Sequence, residues 1–276
     1  MPLPPLCKER TVRIKLGISP CPNDTFIFYH LLNAGHFDID LTIADIEELN
    51  GMALRHGLDI TKASSYAAYE VQDFYRLLDA GAAVGKNCGP LIVSREEGYP
   101  ASLSEARIGI PGRHTAAHLL YGLYANNRGK KEFMPFNRIM PALSEGRIDL
   151  GVIIHEGRFT YKSCGLKEVA DLGVWWEGQT GLPLPLGGII ARRSLPPNTI
   201  SDFTAALRLS ILKASAEKGN SEAPLYNFIR QHAQEMETEV LNRHIDLYVN
   251  EYSLSLGRDG NRAFEKLFSL GEGISL

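Results

Sequence analysis

Apolar and polar residues alternate along the first third of the chain in a pattern that predicts strands and helices in turn. Alternating apolar residues over Arg13–Ile18 predict a strand, and helical spacing over Thr25–Asn33 predicts a helix that stops before Gly35. The predicted elements that follow are strand Asp38–Ile46, helix Ile46–Arg55, strand Leu58–Lys62, helix Ser64–Gln72 and strand Gly89–Ser94. This alternation is typical of the α/β class.

A second alternation begins near residue 107 and gives way to helices at residue 200. Its predicted elements are strand Arg107–Ile110, helix Thr115–Asn126, a short extended piece over Glu132–Phe136, helix Ile139–Glu145, strand Asp149–Ile154 and an extended segment over Leu184–Ala191. After Ile200 the apolar residues recur at helical spacing, and later helices are predicted around Leu225–His232, Glu237–Val249 and Arg262–Leu270.

Two extended segments, Gly89–Ser94 and Leu184–Ala191, flank the second unit, and we interpret them as a two-strand hinge. The predicted lobes are residues 1–93 with 190–276, which form a discontinuous lobe 1, and residues 94–189, which form lobe 2. Two α/β lobes joined by crossing strands enclose a cleft that can close on a small ligand. The predicted fold class is therefore α/β, and the arrangement resembles the two-lobed type II periplasmic-binding-protein-like fold.

Composition narrows the classes of partner. The 276 residues are 44% hydrophobic and carry a net charge of -3, and they contain no basic block, so we expect a globular protein that does not bind nucleic acid. No apolar run approaches the roughly 20 residues of a membrane helix, and the N-terminal residues lack a continuous apolar core. We therefore expect a cytoplasmic protein without a membrane partner, either a monomer or a homodimer, with a small-molecule substrate.

The cysteines and glycines do not predict a cofactor. The four cysteines are scattered without a C-x-x-C pair or a histidine at ligand spacing, which predicts thiols and no metal site. Neither a phosphate-binding loop nor a dinucleotide-binding G-x-G-x-x-G pattern is present. We expect no cofactor.

The segment SPCPNDTF, residues 19–26, follows the first predicted strand and breaks it with two prolines. This places Asn23, Asp24 and Thr25 at a strand-to-helix turn, where α/β folds bind small ligands and helix-start amides are available donors. A purely structural role, with Asn23 or Asp24 as the N-cap of the helix, is equally compatible with the pattern.

Two further turns have the same character. In the first, Lys62, Ala63 and Ser64 join a strand end to a helix start, where Ser64 can cap the helix or its amides can hold an anionic oxygen. In the second, Pro111-Gly112-Arg113 leads to Thr115 as a candidate cap. The small residues Ala116 and Ala117 would let a ligand approach the start of that helix. We interpret both turns as candidate substrate contacts.

His155 follows a buried apolar strand directly, which would deliver its imidazole to the edge of the cleft. Because an unperturbed imidazole has a pKa of about 6.5, it can accept a proton near neutral pH. His155 is therefore the candidate catalytic residue, although a hydrogen-bonded histidine between lobes would show the same pattern. His30, His36, His232 and His244 lie away from predicted strand ends, and we expect structural or solvated roles for them.

Five motifs occur in a specific order along the chain: SPCPNDTF (19–26), TKAS (61–64), PGRHT (111–115), IIHEGRFTY (153–161) and GLPLPLG (181–187). Together they resemble the 1,4-dihydroxy-6-naphthoate synthase family of the futalosine route to menaquinone. The resemblance covers nearly the whole chain.

The resemblance implies a lyase that converts cyclic dehypoxanthine futalosine to 1,4-dihydroxy-6-naphthoate and dihydroxyacetone. It also implies that His155 is the base and that Lys62 to Ser64 and the helix start after Thr115 contact the substrate. The family leads us to expect a second threonine where this chain has Ala116. Two alternatives remain at this point: a solute-binding protein for small carboxylates, and the chorismate dehydratase of the same pathway.

Overall fold

The structure, a computed structural model, describes residues 13–155, 157–233 and 237–273. Cys7 and Glu156 lie outside this part of the chain. The first sheet has the strand order β2-β1-β3-β11-β4, with β5 paired to β11, and its strands are β1 (Arg13–Ile18), β2 (Asp38–Ile43), β3 (Ile60–Ser64), β4 (Tyr75–Leu77), β5 (Ala83–Gly85) and β11 (Leu184–Arg192). The second sheet has the order β10-β6-β9-β7-β8, and its strands are β6 (Leu91–Ser94), β7 (Arg107–Ile110), β8 (Lys130–Phe133), β9 (Leu150–Ile153) and β10 (Lys167–Asp171).

Helices cover both sheets, and the predicted α/β class is confirmed. Those of the first half are α1 (Pro22–Asn33), α2 (Ile46–Leu54), α3 (Ser65–Glu70), α4 (Ala116–Ala125) and α5 (Phe136–Ser144). The later ones are α6 (Gly157–Thr160), a 3-10 turn over Tyr161–Cys164, α7 (Leu172–Thr180), α8 (Pro197–Glu217), α9 (Pro224–His232), α10 (Thr238–Tyr248), α11 (Glu251–Leu254) and α12 (Gly257–Glu272). Within the described ranges, no helix combines the length and apolar character needed to cross a bilayer.

Strand β1 has the bounds that the apolar pattern predicts. Ile14, Leu16 and Ile18 are fully buried in the core beneath α1 and α8, while Arg13 and Lys15 are exposed. Because β1 pairs in parallel with both β2 and β3, the loops after these strands emerge at the same edge of the sheet. This pairing brings the residues after Ile18 close to those at the end of β3.

Helix α1 begins earlier than predicted, and this corrects the position of three candidate residues. Pro22 is its first residue, so Asn23, Asp24 and Thr25 lie in the first helical turn and not in a turn before the helix. A proline suits this position because its ring fixes φ near the helical value and its missing N–H would have no partner in the helix. The N-cap is Cys21, so neither Asn23 nor Asp24 caps the helix.

The chain crosses between the two sheets twice, at adjacent places. It leaves the first sheet after β5 and returns to it at the start of β11, where Leu184 pairs with Gly85. The predicted segment Gly89–Ser94 lies beyond the first crossing and continues as β6 of the second sheet. Arg158 holds this crossing by donating to the carbonyl oxygens of Gly89 (2.8 Å) and Asn87 (3.1 Å).

Candidate functional site

A cleft that is open to solvent lies where loops of both sheets meet, and it holds about 660 Å³ of empty space when its open mouth is included. Nine of the ten candidate site residues line it: Asn23, Asp24, Lys62, Ala63, Ser64, Thr115, Ala116, Ala117 and His155. The remaining candidate, Thr25, is fully buried, and its hydroxyl donates to the carbonyl oxygens of Cys21 (3.1 Å) and Pro22 (3.2 Å). Thr25 therefore stabilises the start of α1 and does not line the cleft.

The carboxylate of Asp24 is the centre of a buried polar network at the cleft. Its Oδ1 accepts from Lys62 Nζ at 2.7 Å and from Asn23 Nδ2 at 2.8 Å, and its Oδ2 accepts from Ser19 Oγ at 2.7 Å. Asp24 is completely buried and Lys62 is 6% exposed. Because a buried charge needs an opposite partner, the Lys62 ammonium neutralises Asp24 and is not an unshared cation for a ligand.

Ser64 is positioned by a residue that the sequence pattern did not single out. Asn50, on α2, accepts from the Ser64 backbone N–H at 2.9 Å and donates through Nδ2 to Ser64 Oγ at 3.3 Å. Ser64 precedes α3 without a side-chain cap to it. The Asn50 contact therefore positions the Ser64 hydroxyl at the cleft. Because one lone pair of Oγ already accepts from Asn50, the hydroxyl hydrogen is available for donation to a ligand.

Thr115 is the N-cap of α4, as its position predicts. Its Oγ1 accepts from the backbone N–H of His118 at 3.2 Å and donates to the carbonyl oxygen of Gly112 at 2.9 Å. The backbone amides of Ala116 and Ala117 precede the first residue that can bond within the helix. These two amides, in the first turn of a ten-residue helix, are donors suited to an anionic oxygen in the cleft.

His155 is the second residue after the end of β9, and its backbone lies in the left-handed region with φ of 54°. This conformation is uncommon for a residue other than glycine, and it turns the side chain out of the line of the strand. The imidazole packs edge-on against Phe136, with ring centroids 4.9 Å apart, and its Nδ1 lies 3.5 Å from Cys21 Sγ. The segment after β9 therefore brings an imidazole to the cleft, where it contacts the N-cap residue of α1 and the first residue of α5.

The turn before α4 contacts α2 and α3 of the first sheet. Glu47 Oε1 accepts from the backbone N–H of Arg113 at 2.6 Å and from that of His114 at 3.1 Å. Asn50 Nδ2 donates to the carbonyl oxygen of His114, and the His114 ring lies 2.7 Å from Glu70 Oε2. These contacts hold the two sides of the cleft together next to Ser64 and Thr115.

The structure also places His244 in the cleft, which corrects the expectation that it is remote. His244 is on α10, is 1% exposed, and its Nε2 lies 3.0 Å from Asn23 Oδ1. Its ring stacks beside that of His155, with centroids 6.1 Å apart and planes at 22°. No sequence signal identified it, because its partner Asn23 is 221 positions away and a helix pattern does not tell which buried polar residue faces a ligand.

The site combines the partly exposed imidazole of His155, neutral amide and hydroxyl donors, and the buried ion pair of Asp24 and Lys62. A base beside amide and hydroxyl donors can remove a proton and stabilise the oxyanion that forms. Within residues 13–155, 157–233 and 237–273, no cluster of histidine, cysteine and carboxylate side chains could hold a metal ion.

Comparison with known proteins identifies the family. A family model described as menaquinone biosynthesis matches residues 14–273. The chain is 43% identical over 271 residues to a 1,4-dihydroxy-6-naphthoate synthase of Thermus thermophilus, with 95% of each chain covered. It is 41% identical over 264 residues to the enzyme of the same name from Streptomyces coelicolor, covering 93% of this chain and 92% of the relative.

Solved structures agree on the fold. A protein of Archaeoglobus fulgidus superposes with a TM-score of 0.89 at 34% identity, covering 96% of this chain and 98% of that one. A Candida albicans protein described as having the generic periplasmic-binding-protein fold superposes with a TM-score of 0.64 at 10% identity, covering 96% and 92%. The two-lobed periplasmic-binding-protein-like fold is thus confirmed, and the chain belongs to the menaquinone biosynthesis family that includes these two 1,4-dihydroxy-6-naphthoate synthases.

Proposed function

We propose that this lyase of menaquinone biosynthesis converts cyclic dehypoxanthine futalosine to 1,4-dihydroxy-6-naphthoate and dihydroxyacetone, with His155 as general base. The observation that carries the proposal is the position of His155. It lies two residues beyond β9 in a left-handed conformation and lines a cleft together with helix-start residues. The names of the curated relatives supply the product.

The residues of the cleft supply what this reaction requires. Breaking a carbon–carbon bond next to a carbonyl, with formation of an aromatic ring, needs a base and a stabilised oxyanion but no change of oxidation state. His155 would take the proton. The amides of Ala116 and Ala117 and the Ser64 hydroxyl would donate to the developing oxyanion or to a substrate carboxylate, and the contacts of Glu47 with the opposite turn would keep water out.

Replacing His155 with asparagine tests the base directly. Asparagine tolerates the left-handed backbone at this position and keeps polarity, but it cannot accept a proton near neutral pH. If general-base action contributes the usual ~10²–10⁴-fold, turnover should fall by that order while substrate affinity changes little. Turnover is measured by mass detection of the naphthoate, and affinity by calorimetry.

The matched control is His36→Asn, because His36 is exposed and lies outside the cleft. It should leave both turnover and affinity unchanged. A folded His155→Asn enzyme with near-normal turnover would show that another group is the base. An unmodified enzyme that releases no naphthoate from cyclic dehypoxanthine futalosine would refute the proposed reaction itself.

We extend the proposal to a cytoplasmic location. Cys88 and Cys164 are thiols and not disulfides, which is typical of a reducing compartment. Cell fractionation with an antibody against the protein tests this, and recovery in an extracytoplasmic fraction would contradict it.

A further inference from the structure

His244 is a nearly fully buried titratable group of the cleft that the proposed reaction does not use. It is 1% exposed and lies between Asn23 on one side and the ring of His155 on the other. Its Nδ1 meets no hydrogen-bond partner among the residues that the structure describes. A polar atom that is buried in this way calls for a partner of some kind.

The hydrogen bonds behind His244 fix which of its nitrogens carries the proton. The Asp24 carboxylate, paired with Lys62, can only accept hydrogen bonds, so the Asn23 amide must turn its Nδ2 toward it, at 2.8 Å. The Asn23 oxygen then faces His244 Nε2 at 3.0 Å and requires that nitrogen to donate. In a neutral ring with Nε2 protonated, Nδ1 is an acceptor.

The surroundings also keep His244 neutral. Burial lowers its pKa well below the usual value of a histidine, and electrostatic interactions with the neighbouring His155 and Lys62 lower it further. The tautomer and the charge state together leave a lone pair on Nδ1, at a cleft that also presents the Ala116 and Ala117 amides as donors. A neutral acceptor suits a hydroxyl donor and repels a carboxylate or carbonyl oxygen.

We propose that His244 is a substrate-binding residue whose Nδ1 accepts a hydrogen bond from a substrate hydroxyl next to the group that His155 deprotonates. This inference rests on the proposed function and deepens it. The ligand chemistry is that of a hydroxylated, sugar-derived fragment, held by an acceptor on α10 while its oxyanion end is held by donors on α4. The centroid distance of 6.1 Å between the two imidazoles is short enough for neighbouring groups of one ligand to reach both.

The tautomer and the hydrogen bond can be observed together by ¹⁵N NMR of histidine-labelled protein. The His155→Asn enzyme, saturated with cyclic dehypoxanthine futalosine as judged by calorimetry, retains the substrate for the measurement. His244 should show a protonated Nε2 and an unprotonated Nδ1, and the Nδ1 resonance should move upfield when the substrate binds. A protonated Nδ1, or an Nδ1 resonance that stays in place in the saturated enzyme, would overturn the inference.

Two variants of the otherwise native enzyme give the functional readout. His244→Phe keeps the ring volume but removes the acceptor, and loss of one neutral hydrogen bond should raise KM by roughly 2- to 12-fold. His244→Asn can place its amide oxygen near the position of Nδ1 and should recover most of that loss. The pH profile of kcat should stay the same in both variants, because His155 is retained. The matched control is His232→Phe on α9, outside the cleft, which should change nothing.

The outcomes separate the two proposals. Native enzyme that does not turn over cyclic dehypoxanthine futalosine would refute the proposed function, and this inference with it. Turnover by the native enzyme, with an unchanged KM in His244→Phe, would refute the role of His244 alone. Equal loss in the phenylalanine and asparagine variants would also refute it, because it would show that His244 acts only by supporting Asn23.

Discussion

Replacing Lys62 with methionine should destabilise the protein substantially, because it leaves the Asp24 carboxylate buried without a positive partner. Asp24 is 0% exposed, and the side chain of Lys62 is 8% exposed at an Nζ–Oδ1 distance of 2.7 Å. Removing one partner of a buried pair costs about 3–5 kcal/mol. Asp24 keeps the neutral donors of Ser19 and Asn23, so we expect the lower end, about 3 kcal/mol.

Urea unfolding at pH 7 measures this loss, and an exposed lysine provides the matched control. Lys130 pairs with Glu105 at the same distance of 2.7 Å, but the two side chains are 64% and 73% exposed. Solvent screens such a pair, so Lys130→Met should change the free energy of unfolding far less than Lys62→Met. The two lysine variants compare the same chemical change at the same distance and differ in burial.

A double-mutant cycle completes the experiment. Asp24→Asn combined with Lys62→Met removes both charges, so the double variant should be more stable than the sum of the single losses predicts. A coupling energy of about 2 kcal/mol or more between Asp24 and Lys62 would agree with a pair in which each charge neutralises the other in a buried site. If Lys62→Met cost no more than Lys130→Met, or if the two single losses simply added, the interpretation of Lys62 as the partner of Asp24 would be wrong.

Three further predictions concern cofactors, acid stability and cleft closure. Exhaustive chelation and dialysis should leave turnover intact, and activity that one added metal restores would contradict this. Burial lowers the pKa of His118 to about 4, so its contribution to stability is complete above about pH 6.5 and is lost as the pH falls toward 4. His118→Phe should therefore flatten the urea-derived stability profile over this range by up to about 3 kcal/mol, whereas an unchanged slope would refute it. Glu47→Ala removes the acceptor of two backbone N–H groups and should raise KM about tenfold with little effect on unfolding, while an unchanged KM would show that these contacts do not favour closure.

The elements that the sequence predicts best are those with a buried apolar pattern of their own. Strands β1 and β7 have the predicted bounds, because both are buried strands whose ends coincide with a change to turn residues. Strand β10 and helix α7 were not predicted. Three of the five residues of β10 are charged and none of the five is buried, so the segment has no apolar period that would predict a strand.

The site residues likewise divide into those that a local sequence pattern indicates and those that it does not. The three turns and His155 were found because functional residues in α/β folds gather at the carboxyl ends of strands, which a sequence reveals locally. Glu47, Asn50 and His244 were missed because each acts through a partner between 14 and 221 positions away. The spacing of residues along one helix or strand does not reveal a hydrogen-bond partner that is distant in sequence, because only the folded structure brings the two residues together.

The turn before α4 takes part both in contacts across the cleft and in the candidate ligand site. The backbone N–H groups of Arg113 and His114 bond to Glu47 of the opposite side, and two residues later the amides of Ala116 and Ala117 face the cleft. Gly112 makes this approach possible, because a Cβ at that position would come within 2.6 Å of the Glu47 carboxylate. A ligand oxygen bound by the α4 amides therefore contacts the same short segment whose backbone N–H groups donate to Glu47. Binding energy gained at the start of α4 is available to hold the cleft shut while His155 acts, so substrate affinity and the exclusion of water should change together when this turn is altered.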